Sequence, residues 1–298
     1  MRRVLSRARG RLRLALSGVA TAHPNGHFYS PVCDPQALQR ARDQIWPDAA
    51  PLPLGIDFND AEHVRVLEDW FARFHGDYDY AYGGVPDREL ARFYINNSQF
   101  SGLDSRALFV FLRALQPRRI IEVGSGYSSL LMADVNQRFL GGKSKITCIE
   151  PYPREFLMRG VAGIGEVIRQ CVQAVPLASF DDLQAGDLLF IDSSHVSKTG
   201  SDVNHLYFEV LPRLRSGVVV HVHDIFLPEE YPQDWAISEN RSWNEQYLLR
   251  ALLMYSTAFQ PLFGCHYAWL HHRERVARAI ALPCGNAQGG GSFWMRRN

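Results

Sequence analysis

The chain has 298 residues, of which 46% are hydrophobic and 12% aromatic, and this is enough apolar material for a packed core. The composition excludes a disordered chain, and no run approaches the roughly 18 consecutive apolar residues of a membrane-spanning helix. The formal net charge is +1 at pH 7, but six arginines precede the first acidic residue, Asp34. Without those arginines acidic residues outnumber basic ones, so nothing in the rest of the chain indicates nucleic-acid binding.

The arginine-rich segment 1–19 has three interpretations, which the sequence leaves open. It is a solvated chain end, an amphipathic helix that makes a peripheral contact with an anionic surface or partner, or a transit peptide. The five cysteines are odd in number and form no CxxC pair. This pattern predicts a reducing compartment, a cytoplasmic location and no structural zinc.

Residues 20–103 are irregular and aromatic-rich, and they are predicted to form a cap of helices and loops. Short apolar periodicities predict helices over 35–45 and 60–75, the second with Asp60 as its N-cap. Such a segment cannot form a sheet of its own. We therefore expect it to pack on the following domain, where it is a common source of residues that contact a substrate.

From residue 104 onward, short apolar runs alternate with helical periodicities. Helices are predicted from Asp104, as N-cap, to Leu115, and then over 128–139, 203–213, 243–258 and 267–282. Strands are predicted over 120–123, 145–150, 165–171, 186–192, 217–224 and 259–266, and a last strand follows the glycines at 289–291. This order predicts an α/β fold with a Rossmann-like, seven-stranded, mostly parallel sheet and helices on both faces.

The strongest local pattern lies between residues 119 and 130. An apolar strand ends at Val123, glycines follow at 124 and 126, and small hydroxyl residues begin the next helix. A turn that needs glycine brings backbone N–H groups close to a ligand, and a carboxylate after the second strand, Glu150, can bind a ribose diol. The pattern predicts a nucleotide-type cofactor site.

Four short motifs resemble, in their order, class I S-adenosylmethionine-dependent methyltransferases, and in particular the branch of metal-dependent O-methyltransferases of sugars, macrolides and catechols. They are Ile121-Glu-Val-Gly-Ser-Gly126, Cys148-Ile-Glu150, Phe190-Ile-Asp-Ser-Ser-His195 and Val222-His-Asp-Ile225. The resemblance covers about 104–298 and implies an antiparallel last strand. The predicted organisation is a basic segment 1–19, a cap 20–103 and a methyltransferase domain 104–298.

The resemblance implies S-adenosylmethionine as the cofactor. Its methionine part is expected at the first turn, near Glu122, Gly124, Ser125, Gly126, Tyr127 and Ser128. Glu150 is expected to accept both ribose hydroxyls, although a surface glutamate at a strand end is the simpler interpretation. Gln173 is expected to contact the adenine, and Asp192 is also counted among the cofactor-binding residues.

Asp192 and Asp224 end two strands that we expect to be adjacent. Two neighbouring carboxylates repel each other unless a cation lies between them, and hard oxygen ligands in a partly open site favour Mg²⁺. The resembling enzymes have ligands at these two positions and a further acidic or amide residue beside the second. Here that neighbour is His223, which favours a softer ion such as Mn²⁺. Without a metal, Asp192 would face the amine of the cofactor and Asp224 would hydrogen-bond to backbone.

His195 follows Asp192 by three residues, where relatives place the general base. A hydroxyl is a poor nucleophile until a base accepts its proton, so the predicted activity is O-methylation of a small-molecule or glycan acceptor, with His223 as the reserve base. A nicotinamide-dependent oxidoreductase is disfavoured because the turn lacks the third Gly or Ala of that fingerprint. An inactive cofactor-fold scaffold and a metal-dependent hydrolase that uses His221 and His223 stay as alternatives. The sequence is compatible with a homo-oligomer but does not specify one.

Overall fold

The structure, a computed structural model, describes residues 22–48, 52–281 and 289–298. The chain divides into two units, one formed by residues 1–48 and 232–242 and the other by residues 49–231 and 243–298. The predicted basic segment 1–19 lies outside the described residues, and the predicted boundaries at 19 and 103 stay predictions. Within the described ranges no helix is long and apolar enough to cross a membrane.

The first unit contains two short α-helices, α1 (Pro35–Arg40) and α2 (Arg42–Ile45), and a π-helical segment, Asp234–Ser238. Asp34 begins α1, because its Oδ1 accepts the N–H of Gln36 at 2.9 Å. Ser242 Oγ accepts the N–H of Cys33 at 3.0 Å and joins the two chain segments of this unit.

The second unit contains a seven-stranded sheet whose strand order is β3-β2-β1-β4-β5-β7-β6. The strands are β1 (Arg119–Val123), β2 (Lys145–Ile149), β3 (Glu166–Ile168), β4 (Leu188–Ile191), β5 (Val219–Val222), β6 (Phe259–Gly264) and β7 (Phe293–Arg297). Strands β1 to β5 pair in parallel, and β7 runs antiparallel to both β5 and β6. The predicted α/β fold with an antiparallel last strand is confirmed.

Helices cover both faces of this sheet. The α-helices are α3 (Asp60–Arg65), α4 (Ala72–Phe74), α5 (Gly102–Leu115), α6 (Tyr127–Phe139), α7 (Glu155–Arg159), α8 (Ala178–Asp181), α9 (Asp202–His205), α10 (Glu245–Leu253), α11 (Cys265–His271) and α12 (Arg273–Ala279). Segments Val66–Phe71 and Leu206–Val210 are π-helical, and His75–Asp77, Val172–Ala174 and Leu211–Arg213 are short 3₁₀ helices.

The core forms two apolar clusters, one on each face of the sheet. In the first, Trp70, Phe93 and Phe111 from 52–115 pack with residues of β1, β4 and β7, and Phe111 stacks on Trp294 at 4.1 Å. In the second, residues of β4 and β5 pack with α10 and with the helical segment 202–213. All four residues of β4 are buried, as expected for a strand with apolar cover on both faces.

Several predicted elements have different bounds. The N-cap of α3 is Asn59 and that of α5 is Ser101, so the prediction that Asp60 and Asp104 are N-caps is wrong. The helix predicted over 203–213 changes from α to π to 3₁₀ geometry, with Pro212, which has no N–H to donate, in its last turn. The helix predicted over 243–258 covers only Glu245–Leu253, and the one predicted over 267–282 is divided at His272.

Candidate functional site

The turn after β1 lies against the end of β4. Gly124 has a φ of +81°, which favours glycine, and its N–H donates to the carbonyl of Ile149 at 3.0 Å. A Cβ at Gly124 would overlap the carbonyl oxygen of Asp192. The N–H of Gly126 donates to Ser129 Oγ at 3.0 Å, so α6 begins directly after the turn. Glycine at 124 therefore allows both the turn and its close approach to Asp192.

Glu122 lies inside the protein beneath this turn and has no exposed surface. One carboxylate oxygen accepts Ser128 Oγ at 2.6 Å, and the other accepts Ser129 Oγ and, at 3.3 Å, Cys148 Sγ. Burial raises the pKa of Glu122 to about 7, against the lowering effect of these hydrogen bonds. Because protein donors occupy both oxygens, Glu122 supports the turn and the first residues of α6.

Glu150 follows β2 and holds the turn from the other side. Its Oε2 accepts the N–H of Ser125 at 3.1 Å, and its Oε1 accepts the N–H of Tyr152 at 2.8 Å. Each carboxylate oxygen keeps a further lone pair for an outside donor. Gln173 lies on an exposed 3₁₀ turn after β3, where its Nε2 donates to the carbonyl of Gly200 at 2.9 Å.

Tyr127 is the first residue of α6 and is nearly buried. Its hydroxyl donates to Asp87 Oδ1 at 3.3 Å, and the Arg154 guanidinium lies 4.8 Å from the centre of its ring. Asp87 also accepts Arg154 at 3.0 Å. These contacts fix the ring beside the glycine turn.

The ends of β4 and β5 bring together Asp192, His223 and Asp224, whose nearest ligand atoms all lie within 4.8 Å of one another. His223 Nδ1 lies 3.4 Å from Asp192 Oδ1 and 3.6 Å from Asp224 Oδ1. Both ring nitrogens of His223 are buried and neither makes a hydrogen bond of normal geometry, although Nε2 lies 3.5 Å from Asp104 Oδ2. Two carboxylates and an imidazole that face one another in this way form a donor set that suits a divalent cation.

The electrostatics of the two aspartates differ, although burial on its own would raise the pKa of both. At Asp192 the neighbouring His223 and His195 outweigh burial and hold the pKa below its usual value. At Asp224 burial prevails, with the charge of Asp192 adding to it, and the pKa is raised. Neighbouring carboxyls whose pKa values are displaced in opposite directions are typical of functional sites.

His195 lies beside this cluster and is held by Glu245. Its Nδ1 lies 2.9 Å from Glu245 Oε2, and its Nε2 lies 3.3 Å from Asp192 Oδ1 and 3.4 Å from Asp224 Oδ2. Burial would lower the pKa of His195, but Asp192 and Glu245 outweigh it and raise the pKa to about 10. The ring packs against Trp243 at 4.4 Å.

Two of these residues have strained backbones. The φ of His195 is +60° and that of Asp224 is +57°, in a region that residues other than glycine rarely adopt. Such strain persists where the surrounding contacts fix it, and it clusters at active sites and ligand clamps.

His221 does not belong to this group of facing polar atoms. Its Nε2 lies 2.9 Å from Ser292 Oγ, and its ring stacks on Phe190 at 3.8 Å. Burial, followed by the charge of His223, holds the pKa of His221 well below its usual value. It packs in the core as a neutral imidazole.

The sequence reasoning missed two residues of the site. Glu245 was predicted only as part of the helix over 243–258, and Asp104 was predicted as an N-cap. Glu245 is the first residue of α10 and is fully buried, which is rare for a glutamate without a partner. Asp104 is also buried, and its Oδ2 lies 3.5 Å from His223 Nε2.

Comparison with known proteins gives two matches in sequence. A family model described as a methyltransferase domain matches residues 121–225, which run from β1 to just past β5 and include Gly124, Asp192, His195 and Asp224. An uncharacterised protein from Archaeoglobus fulgidus is 38% identical over 172 residues, which cover 56% of this chain and 76% of the relative.

Solved structures with a similar course of the chain include an O-methyltransferase from Bacillus cereus in complex with SAH. It is 15% identical, with a TM-score of 0.39, and the alignment covers 88% of this chain and 97% of that one. A Burkholderia thailandensis 1,6-didemethyltoxoflavin-N1-methyltransferase is 14% identical, with a TM-score of 0.33, over 85% of this chain and 94% of that one. What these two proteins bind and methylate is a property of those proteins.

Proposed function

The chain belongs to the class I S-adenosylmethionine-dependent methyltransferases, and from this premise we propose that it methylates a hydroxyl group of a small molecule or glycosyl unit, with His195 as the general base. Membership of this family also removes the nicotinamide-dependent alternative. The observation that carries the proposal is the orientation of His195, whose Nδ1 is held by Glu245 while its Nε2 faces the ends of β4 and β5.

The residues of the glycine turn fit the cofactor. The N–H groups of residues 124 to 126 donate within the protein and fix the turn, so the group left for the cofactor is Glu150 beyond β2, whose oxygens keep lone pairs for a ribose diol. S-adenosylmethionine, when bound, supplies an electrophilic methyl group on a sulfonium. The turn and Asp192 form one wall, because the glycine at 124 allows the two to touch.

His195 must be neutral to act as a base. Although burial would lower its pKa, the carboxylates of Asp192 and Glu245 raise it to about 10, so action as a base near neutral pH requires that their charge be offset. A divalent cation held by Asp192, His223 and Asp224 would offset the charge of the carboxylates and polarise an acceptor hydroxyl. The residues fit such an ion, since the buried Nδ1 of His223 has no hydrogen-bond partner and faces oxygens of Asp192 and Asp224.

With its charged neighbours offset, His195 Nε2 is the atom that takes the proton lost by the acceptor hydroxyl. Glu245 accepts from Nδ1 and fixes the ring plane, and Trp243 packs against the ring and limits its rotation. Nε2 faces the ends of β4 and β5, 3.3 Å from Asp192 Oδ1 and 3.4 Å from Asp224 Oδ2. Alignment and proton acceptance are the two contributions that these side chains make to methyl transfer.

Replacement of His195 by alanine tests this role. We expect His195→Ala to lower turnover at least about a hundredfold, the usual contribution of a positioned base, while S-adenosylmethionine affinity stays within about twofold. Turnover is measured as transfer of a labelled methyl group to a panel of catechols, phenols and glycosides, and affinity by calorimetry.

His272→Ala is the matched control, because His272 is also buried and also paired with a carboxylate, Asp60, at 2.7 Å. We expect it to keep wild-type turnover. Equal loss of cofactor affinity and turnover in His195→Ala would make His195 a structural residue. A folded wild-type protein that gives no heat with S-adenosylmethionine would contradict the cofactor assignment.

A further inference from the structure

Asp104 is a fully enclosed carboxylate that the proposed reaction does not use. It is the third residue of α5, and its two oxygens accept backbone N–H groups of the segment that leads into β7. Oδ2 accepts Gly291 at 3.0 Å, and Oδ1 accepts Ser292 at 2.7 Å. Oδ2 also lies 3.5 Å from His223 Nε2, on the side of the ring opposite Asp192 and Asp224.

The glycines before β7 make this arrangement possible. A Cβ at Gly290 would overlap the carboxylate of Asp104, and a Cβ at Gly291 would come within 2.8 Å of the Asp224 Cα. The carbonyl of Gly291 accepts the N–H of Ile225 at 2.8 Å. This short run therefore lies directly between the two aspartates and joins both to one piece of backbone.

We propose that Asp104 is a positioning residue that holds His223 with a proton on Nε2, so that Nδ1 presents its lone pair to a divalent cation shared with Asp192 and Asp224. The inference rests on the proposed metal-assisted function and adds to it the residue that prepares the imidazole. Gly290 and Gly291 have no Cβ, and this leaves the space that the Asp104 carboxylate and the Asp224 backbone occupy.

The chemistry of the imidazole explains why such a residue is needed. An ionised carboxylate only accepts hydrogen bonds, so the ring nitrogen that faces Asp104 would carry the hydrogen, and with a cation between Nδ1 and the two aspartates Nδ1 would present its lone pair. Histidines that bind metals usually donate their second N–H to a carboxylate or carbonyl, and loss of that partner weakens metal binding about 10- to 100-fold. The position of His223 between carboxylates on both sides matches this arrangement.

The test is a titration with Mn²⁺ alone, in the absence of cofactor and acceptor. We expect Asp104→Asn to weaken Mn²⁺ binding about 10- to 100-fold, because an amide NH₂ toward Nε2 donates where the carboxylate accepts. Binding is followed by calorimetry and by the electron paramagnetic resonance signal of free Mn²⁺. Neither measurement depends on turnover.

Asp187→Asn is the matched control. Asp187 is a buried aspartate at the other end of β4, and it also accepts backbone N–H groups, those of Arg118, Arg119 and Gln184. We expect its Mn²⁺ affinity to equal that of the wild type. If both variants bind Mn²⁺ as the wild type does, Asp104 has no role at the metal site. If the wild type itself binds no Mn²⁺, the proposed metal site fails instead.

A second measurement does not depend on the folding of any variant. In Mg²⁺-loaded wild-type protein, imidazole ¹⁵N spectra distinguish a proton on Nε2 of His223 from one on Nδ1. We expect the Nε2–H form. An Nδ1–H form would overturn the assignment even if Asp104→Asn did not fold.

Discussion

Strand β4 lies between two aspartates that have different surroundings. The one directly before the strand is buried, and the one directly after it is partly exposed. Asp187 is 4% exposed, and its oxygens accept three backbone N–H groups at 2.9 to 3.1 Å. Asp192, four buried residues later, has a side chain that is 30% exposed and faces His195 and His223. One carboxylate is paired with fixed backbone donors and the other with groups that can gain or lose protons.

This difference separates a structural carboxylate from a candidate functional one. Three backbone N–H groups occupy the oxygens of Asp187, so its carboxylate is not available to a ligand. The same hydrogen bonds join the start of β1 to the loop before β4. Around Asp192 the buried Nδ1 of His223 has no hydrogen-bond partner, so this strand end keeps a free group for a ligand. Burial alone does not identify a site, whereas the kind of partner does.

Alanine at the two positions gives the largest expected contrast. Asp187→Ala should lower the free energy of unfolding by about 3 kcal/mol, because buried N–H groups lose their acceptor, and leave turnover per folded molecule unchanged. Asp192→Ala should lower turnover at least about a hundredfold and cost less stability than Asp187→Ala, because the lost attraction to His195 and His223 is partly offset by the lost repulsion of Asp224. Urea unfolding and labelled-methyl transfer measure the two quantities.

Asp182→Ala is a control for the first substitution, since that aspartate lies in the same loop and its side chain is exposed on the surface. The contrast would collapse if Asp192→Ala destabilised the fold as much as Asp187→Ala while turnover per folded molecule stayed high. Asp192 would then be a second structural carboxylate.

How much of this site is predictable from the sequence depends on which contacts the strand order determines. Glu122, Gly124, Asp192 and Asp224 lie at or near the ends of apolar runs, so the pattern predicts that they share one edge of a parallel sheet, and the resemblance added that the strands of Asp192 and Asp224 are adjacent. The same pattern predicted the sheet, whereas its antiparallel last strand was implied by the resemblance to the methyltransferase family. The roles of these residues stay proposals.

Glu245 and Asp104 were not predictable in this way. Glu245 is 50 residues from His195 along the chain, and Asp104 is 187 residues from Gly291. Each contact depends on how a helix packs on the sheet, and a period of apolar residues does not specify that position. The N-cap prediction for Asp104 failed because Gly102, with a φ of +59°, starts the helix earlier.

A buried structural histidine, His63, contrasts with His195 in the same way, and it gives the next largest expected effect, a change in stability with pH. His63 has no exposed surface, its Nε2 accepts the N–H of Gly264 at 2.8 Å, and its Nδ1 lies 3.2 Å from the carbonyl of Asn59. Burial lowers the pKa of His63 to about 4 from its ordinary 6.5. Between pH 6.5 and 4 the imidazole of His63 is protonated in the unfolded chain but stays neutral in the folded protein. The free energy of unfolding should therefore fall by about 3 kcal/mol as the pH is lowered from 6.5 to 4.

The difference between wild type and His63→Gln isolates this contribution. We expect the two curves of unfolding free energy against pH to converge or cross below pH 6.5, because the variant has no proton to take up at this position. Parallel curves between pH 4 and 6.5 would mean that His63 keeps an ordinary pKa in the folded protein.

The smallest expected effect concerns the partner of the proposed base. Glu245→Gln keeps the size of the side chain and an oxygen toward His195, but it replaces a charged hydrogen bond at 2.9 Å by a neutral one. The difference between the two kinds of bond is about 1.4 kcal/mol, so kcat should fall about tenfold while KM for S-adenosylmethionine is unchanged. Burial raises the pKa of Glu245, so the neutral variant should be at least as stable as the wild type. A matched rise in KM, or a loss of stability, would make Glu245 a packing residue like Asp187 rather than the group that orients His195.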